Sequence, residues 1–484
     1  MEQRHKEEQN SYRRNIPPES NSEIQQCLEK APVGPILDFL IEYFVREVNW
    51  IDQLVHLPWL LNQYKLWRTV KTPSSAFEIE FTVLILRICS YTSEFLPSPS
   101  CTIERIRGIS LADIRHSCDE AADSLLTLCI RFDPQGGLLR VQHLAFAGSK
   151  TRCEGRMNDF RQTLRSSIQV AQQIGADKDT SRDLDELEKE TRRRVFCNLF
   201  IWDSHLSRQL DRIPILPGGL GPENMPRMRP GPNIDGDAHG LEEFTERILQ
   251  ARLANFWRAT GPNLGSRYDI LVAEERYEKF CSEFLSTLPS AFALQPDKQW
   301  DKQFPILPQQ REALLISIFE SLCYNFRPVL FLENFQVQDF PRYKQNLVQS
   351  QRKALAVAAL FVLQGVERLH ALLGDAQTRY TGIIQPTLEA AVLLASLCVD
   401  PSFLDLSIGE ERMENVGVED HRPTTMIPTT RIDPVRAGML NLRREECIQA
   451  IRNALSRLQI LAEVSNMADV GAQTLASLVR NLDK

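Results

Sequence analysis

The sequence lacks the spacings on which most chemistry is built. Its 11 cysteines, an odd number, run from Cys27 to Cys447 without a C-x-x-C. That excludes a zinc cluster made from close cysteine pairs and suits a reducing compartment with mostly buried thiols. No G-x-S-x-G, H-E-x-x-H or Walker loop occurs, so the common hydrolase, zinc-protease and nucleotidase signatures are absent. The eight histidines are dispersed, with no pair at a ligand spacing on one helix. "GGLGPEN" (Gly218–Asn224) reads as a plain turn, because Pro222 follows at once and no strand precedes it. Basic charge is not in excess: 56 Lys and Arg face 63 Asp and Glu, for a net charge of −7. This argues against the chain as a whole gripping phosphates. The opening "MEQRHKEEQNSYRRNIPPESNSE" has no apolar core, so it is no signal peptide. The longest apolar run, "ALAVAALFVLQGV" (Ala354 to Val366), is too short for a bilayer and reads as a buried helix. A soluble intracellular protein without a membrane partner is expected.

What is present is helical periodicity. Clean period-two alternation is nearly missing, while apolar residues recur at helical spacing from Pro32 onward. "SLADIRHSCDEAADSLLTLCIRF" opens with Ser110 and Asp113, a capping box with Asp for the usual Glu, and stops at "DPQGG". "MNDFRQTLRSSIQVAQQIG" stops at Gly175. Further helices are expected near 241–261, 268–287, 308–333, 347–374, 383–399, 441–464 and 467–482. The predicted fold class is all-α, a large body of packed antiparallel helices with long irregular loops. Its parts are a disordered polar tail (1–30), a helical body (31–404) with a Pro- and Gly-rich loop at 213–240, a flexible linker (405–440), and C-terminal helices packing on the body (441–484).

"ETRRRVFCNLFIWDSHLSRQL" (Glu190 to Leu210) poses the sharpest question, because three arginines in a row can mark a nucleic-acid patch. Successive helical residues lie about 100° apart, so Arg192, Arg193 and Arg194 fan around the helix instead of forming a stripe. Glu188 and Glu190 each sit four residues ahead of an arginine, the favourable order for pairing. Val195, Leu199, Trp202, Leu206 and Leu210 then form an apolar stripe, widened by Phe196 and Phe200. The patch reads as the shoulder of a buried helix. His56 and His205 fall in segments read as apolar helices, where a satisfied core histidine is the expected role.

"YFVREVNWIDQLVHLPWLLNQYKLW" resembles the opening of the middle homology region of fungal binuclear zinc-cluster transcription factors, through Phe44, Asn49, Trp50, His56, Pro58, Leu60 and Tyr64. The blocks "EGRMNDFRQTLRSSIQVAQQIGADKD" and "LEKETRRRVFCNLFIWDSHLS" follow in that family's order, matching at Gly155, Arg156, Ala171, Gly175, Glu190, Arg193, Arg194, Trp202, Asp203 and Ser207. "YNFRPVLF" is similar to its later Arg-Pro segment, with Arg327 and Pro328. These signature residues are expected to be mainly structural. The family's Gly-Arg-Pro turn is replaced by "DRIP" (Asp211 to Pro214). Its six-cysteine cluster has no counterpart, since only Cys27 precedes residue 40: either the sequence is truncated, or the protein is a regulator without its own DNA-binding domain.

The resemblance implies a regulatory region that controls transcription by RNA polymerase II, resides in the nucleus with shuttling to the cytoplasm allowed, and is no enzyme. It also implies contacts with the transcription machinery or co-regulators, a small-molecule effector, and a dimer as one allowed state. DNA and zinc binding belong to the family but are not encoded by the residues present, so zinc is expected only with an N-terminal cluster, and DNA contact only through such a domain or a partner. A co-regulator or adaptor acting through protein contacts alone is the alternative, and an enzyme built in a helical cavity is a third reading. No catalytic, metal-binding or DNA-binding residue is assigned. Phe200, Trp202, Phe326 and Arg327 are nominated as walls of an effector cavity. For Arg327 the competing role is an ion pair with a carboxylate such as Asp203.

Overall fold

The computed structural model describes residues 16–70, 72–96, 108–178, 184–227, 243–261, 268–332, 337–374, 379–400, 403–404 and 433–482, and among them there is helix but no strand. The helices are α1 (Asn21–Glu29), α2 (Gly34–Tyr43), α3 (Leu57–Trp67), α4 (Ala76–Thr92), α5 (Leu111–Phe132), α6 (Leu138–Cys153), α7 (Met157–Gln173) and α8 (Glu186–Gln209). They continue as α9 (Thr245–Thr260), α10 (Ile270–Lys279), α11 (Leu307–Phe326), α12 (Arg342–Leu372), α13 (Thr381–Cys398), α14 (Pro434–Met439), α15 (Arg444–Ala462) and α16 (Asn466–Leu482).

Packing runs mostly between near neighbours in the chain. In the first half α4 is covered by α2, α5 and α6, and α6 carries α7; in the second α11 packs on α12, α12 on α13, and α13 on α15 and α16. The link between the halves is α8, which lies on α7 and passes through α9 to α11. Every residue of α4 from Ile79 to Thr92 is buried, so its polar side chains need partners inside the protein. Glu80 accepts from Arg140 Nε at 2.8 Å and lies 2.6 Å from His143 Nε2, and Arg87 pairs with Asp119 at 2.6 Å and with Asp123.

Local signals explain the ends. Ser110 Oγ accepts from the Asp113 N–H at 3.0 Å, so the cap read from the sequence forms. Gly175, at φ +71°, follows α7 in the left-handed conformation that ends a helix.

Four expectations need correction. The disordered tail expected over 1–30 does not reach 30, and residues 1–15 lie outside the described residues: α1 forms because Ile24 and Cys27 share one face and bury it against α5, and Lys30 pairs with Glu120 at 2.9 Å. Three apolar residues in nine, Ile24, Cys27 and Leu28, were too weak a periodic signal. His56 is not inside a helix but at the N-cap of α3, with Pro58 in the first turn. The linker expected over 405–440 does not reach 440; α14 occupies its end, anchored by Val435, which is fully buried, and by Asp433, which caps the helix and accepts from Tyr277 Oη at 2.5 Å. Residues 405–432 lie outside the described residues. Last, the apolar run from Ala354 to Val366 is a buried helix as expected, but it is the middle of a 31-residue helix, so its own length sets no limit on span. By length and composition alone Leu307–Phe331, Arg342–Leu372 and Thr381–Cys398 are long and apolar enough to cross a membrane. Here α11, α12 and α13 pack on one another inside the body.

The loop at 213–240, where it is described up to residue 227, is irregular apart from a short 3-10 turn, Pro222–Asn224, and it is tied down. Leu216 and Leu220 are buried, and Asn255 of α9 exchanges two hydrogen bonds with the Leu220 backbone, at 2.8 and 2.9 Å. The ten cysteines among the described residues are all buried, and none of them is in a disulfide.

The aromatic joint of the first half is Phe146, which meets Phe44 edge-on at 5.6 Å and Tyr91 at 5.8 Å. Replacing Phe146 with Ala should destabilise the protein by about 3–5 kcal/mol, the usual cost of deleting a buried ring. A urea titration checks this, and an unchanged midpoint would contradict the packing.

Candidate functional site: a polar cavity against the central helix

The three arginines that open α8 separate as their angular positions require. Arg192 donates to Glu188 at 2.9 Å and to the Ile174 carbonyl at 2.8 Å, which closes the end of α7. Arg193 and Arg194 both donate to the buried Glu190, at 3.2 and 2.8 Å. The guanidinium of Arg194 lies 4.8 Å from the Phe244 ring centre. With Arg192 and Arg193 each about 5% exposed and Arg194 paired to Glu190, the three arginines do not form one exposed basic stripe.

Further along α8, Asp203 carries the loop that follows. It accepts from the backbone N–H groups of Ile215 and Leu216, at 2.8 and 2.9 Å, and pairs with Arg258 of α9 at 2.8 Å. The same guanidinium donates to the carbonyls of Leu216 and Gly218. Asp203 therefore does not pair with Arg327. Arg327 reaches Asp211 at 2.7 Å and the Arg208 carbonyl at 3.3 Å, because the α8 turn, not its middle, lies opposite.

The other signature residues are scattered over the body. Asn49 is buried beyond a π-turn at Phe44–Val48 that extends α2, and Trp50 donates to the Glu47 carbonyl at 2.9 Å while its ring meets Tyr380 edge-on at 6.5 Å. His56 is lowered from its usual value by burial and by Arg194. Gly155, at φ +77°, turns the chain from α6 into α7 where an added Cβ would touch Met467. Arg156 is exposed and pairs with Glu154 and Asp159. Pro328 lies in a 3-10 turn, Arg327–Phe331, after α11.

One cavity, of about 120 Å³, lies where α8 meets α6, α7, α9, α11 and the start of α13. Of the four nominated wall residues it is lined by Trp202 alone. Phe200 is packed under Arg258, and Phe326 against Tyr277. Arg327 lines an adjoining groove of about 370 Å³ between α11, α12 and α13, which shares Glu320, Tyr324 and Pro386 with the cavity.

The chemistry of the central cavity lies in residues that motif reading passed over. Arg152 and Arg208 both line it, and among the described residues neither guanidinium makes a hydrogen bond or an ion pair. Arg152 instead lies 5.5 Å from the ring centres of both Phe160 and Trp202, and Arg208 lies 5.6 Å from that of Tyr324. Arg152 Nε, Arg208 Nε and Nη1 and the indole Nε1 of Trp202 are shut from solvent without an acceptor. By contrast Arg247, on the same wall, is matched by Glu246 at 2.6 Å and Asp52 at 3.5 Å.

These unmatched charges act on their neighbours. Burial, then the positive charges of Arg208 and Arg152, pushes His205 down to about 3, so its ring is neutral. Burial first, and Glu389 second, pushes Glu320 up to about 8 against the pull of Arg208. Glu389 itself is well served, accepting from Tyr324 Oη at 3.0 Å and from Gln209 and Gln385 at 2.9 Å each. A signal for this wall was present in the sequence: Ser317, Glu320, Ser321 and Tyr324 form a polar stripe at helical spacing in the mostly apolar second half of α11.

Glu320 gives a pH test. The folded chain holds its proton up to about 8, whereas the unfolded chain releases it near 4.5. Between those values the folded state binds more protons, so this group makes stability fall as pH rises, and the loss is complete above 8. Glu320→Gln should match the wild type in stability near pH 4 and gain on it steadily toward pH 8. Chemical denaturation across that range checks this; a difference that stays flat with pH would contradict it.

Comparison with known proteins places the chain. No protein-family model matches it. It is 40% identical over 479 residues to "Transcription factor xilB" of Penicillium rubens, covering 96% of this chain and 68% of that protein. It is 37% identical over 465 residues to "Probable transcription factor sol4" of Alternaria solani, covering 94% of this chain and 80% of that one. Among solved structures, a chain of the K. lactis CBF3 core is similar over 92% of this chain and 87% of its own, with 14% identity and a TM-score of 0.46, too distant to carry an inference. At these identities and coverages the chain belongs to the family of fungal transcription factors that includes those two proteins, and it is a regulator of transcription, not an enzyme.

Proposed function

We propose that this helical body is the sensing part of a nuclear transcription regulator, with a small-molecule effector received in the cavity beside α8. The observation that carries the reading is the pair of unmatched guanidiniums in that cavity. Buried polar groups without partners cost stability, and structures retain them where a ligand completes them. Position supports the same reading. Walls from α6, α7 and α8 on one side and from α11 and α13 on the other make an occupant a bridge between the two halves. A ligand that touches both can favour one relative arrangement of the halves over another. DNA contact would then come from another domain or a partner, and the response would pass to co-regulators or the transcription machinery through the outer surface.

Filling the cavity tests this. Ala254 on α9 is buried and lines it, so Ala254→Phe places a ring where an effector would sit. In the host fungus, over the growth conditions in which deletion of the gene changes transcription, the variant should fold, as judged by its melting curve, yet lose the condition dependence of those transcripts. A folded Ala254→Phe protein whose transcripts follow the wild type in every condition would refute the sensing role.

A further inference from the structure

We infer that the occupant of the central cavity is a small organic acid, its carboxylate held by Arg152 and Arg208 and its body lying against Trp202, Phe160 and Tyr324. This rests on the sensing reading and names the chemistry that reading leaves open.

The charge balance of the walls decides the sign. Three guanidiniums line the cavity, and the protein supplies anionic partners only for Arg247. Glu320 is the carboxyl nearest in role to a counter-ion for Arg208. It makes no hydrogen bond or ion pair among the described residues, and burial keeps it protonated at neutral pH. Its proton is thus a donor facing the cavity, as are the free N–H groups of Arg152, Arg208 and Trp202. His205 is neutral and adds no charge. A wall that presents two unpaired cations and several unused donors is complementary to an anion with acceptor oxygens, and a carboxylate satisfies several donors at once. A cationic or purely apolar occupant would leave every one of these groups unmet.

Shape decides the size. The guanidiniums are held by ring faces rather than by carboxylates, so the cations stay oriented while the cavity is open. A volume of about 120 Å³ is close to that of cavities which accept a benzene-sized molecule. That admits short-chain or single-ring monocarboxylates and excludes nucleotides, peptides and sterols.

The test uses the full chain and pairs of near-isosteric acids and amides: butyrate with butyramide, and benzoate with benzamide. Calorimetry and thermal melting should show saturable binding of at least one acid and a matching rise in melting temperature, with its amide inert. Arg208→Met keeps the aliphatic stem and removes the charge. It should weaken acid binding by roughly tenfold to a hundredfold, as expected for loss of charged hydrogen bonds. Arg152→Met should do the same, and either variant serves if the other fails to fold. Equal binding of acid and amide, unaltered acid binding in both variants, or no binding of either acid would overturn the assignment. These results are separable from the sensing role. Amides that bind as well as acids sink the anion chemistry and leave sensing intact. Acids that bind through Arg208, together with unchanged transcription in Ala254→Phe, sustain the site and remove its regulatory meaning.

Discussion

Beyond its first turn α8 runs through the body with little of it facing solvent, and it carries many polar residues there. Each charge on it must meet an opposite charge or a backbone group inside the body, because an isolated buried ion costs several kcal/mol. That requirement shapes the surroundings. Glu190 gathers Arg193 and Arg194, Arg192 closes the end of α7, and Asp203 takes two loop N–H groups together with Arg258. The loop after α8 is irregular in conformation and fixed in position for this reason, and α9 is drawn onto α8 by the same carboxylate.

The matching stops on the face of α8 that carries Trp202, His205 and Arg208. There the protein provides cations, donors and aromatic faces, and the carboxyl within the same wall, Glu320, is kept neutral by burial. The gap lies where the first and second halves of the chain meet, so whatever fills it acts on the seam between them. Under the sensing role proposed above, a seam completed by a ligand would give a small molecule a low-cost way to change a large body. The family membership says that the output is transcription; the cavity indicates where an input could enter.

The sequence made α8 and its burial legible because the evidence was local. A stripe from Val195 to Leu206 and acids four residues ahead of arginines are read from spacing alone, and both pairs form. The Ser110 cap was visible for the same reason. What failed was long-range. Nothing local says that Asp203 meets Arg258, 55 residues away, and not Arg327, and an ion pair between distant helices depends on how those helices cross. Nominating Phe200 and Phe326 as cavity walls followed from their motif positions, but on a helix fully surrounded by protein one face lines a void and the others pack. Arg152 and Arg208 were passed over because single arginines near the ends of helices ordinarily point to solvent. The polar stripe on α11 was a local signal of the cavity, and it lay in a segment read only as a helix near 308–333 and for its Arg-Pro resemblance.

The account's central claim is that the unmet donors beside α8 are completed by a carboxylate, and the indole N–H of Trp202 reports on this directly. In a protein labelled with ¹⁵N at tryptophan, with the Trp202 resonance assigned by its loss in Trp202→Phe, saturation with benzoate should shift that indole resonance downfield, as a new hydrogen bond or a nearby anion requires. The remaining indole resonances should stay in place. A Trp202 resonance that does not move while benzoate is bound, or one that moves equally with benzamide, would contradict the claim.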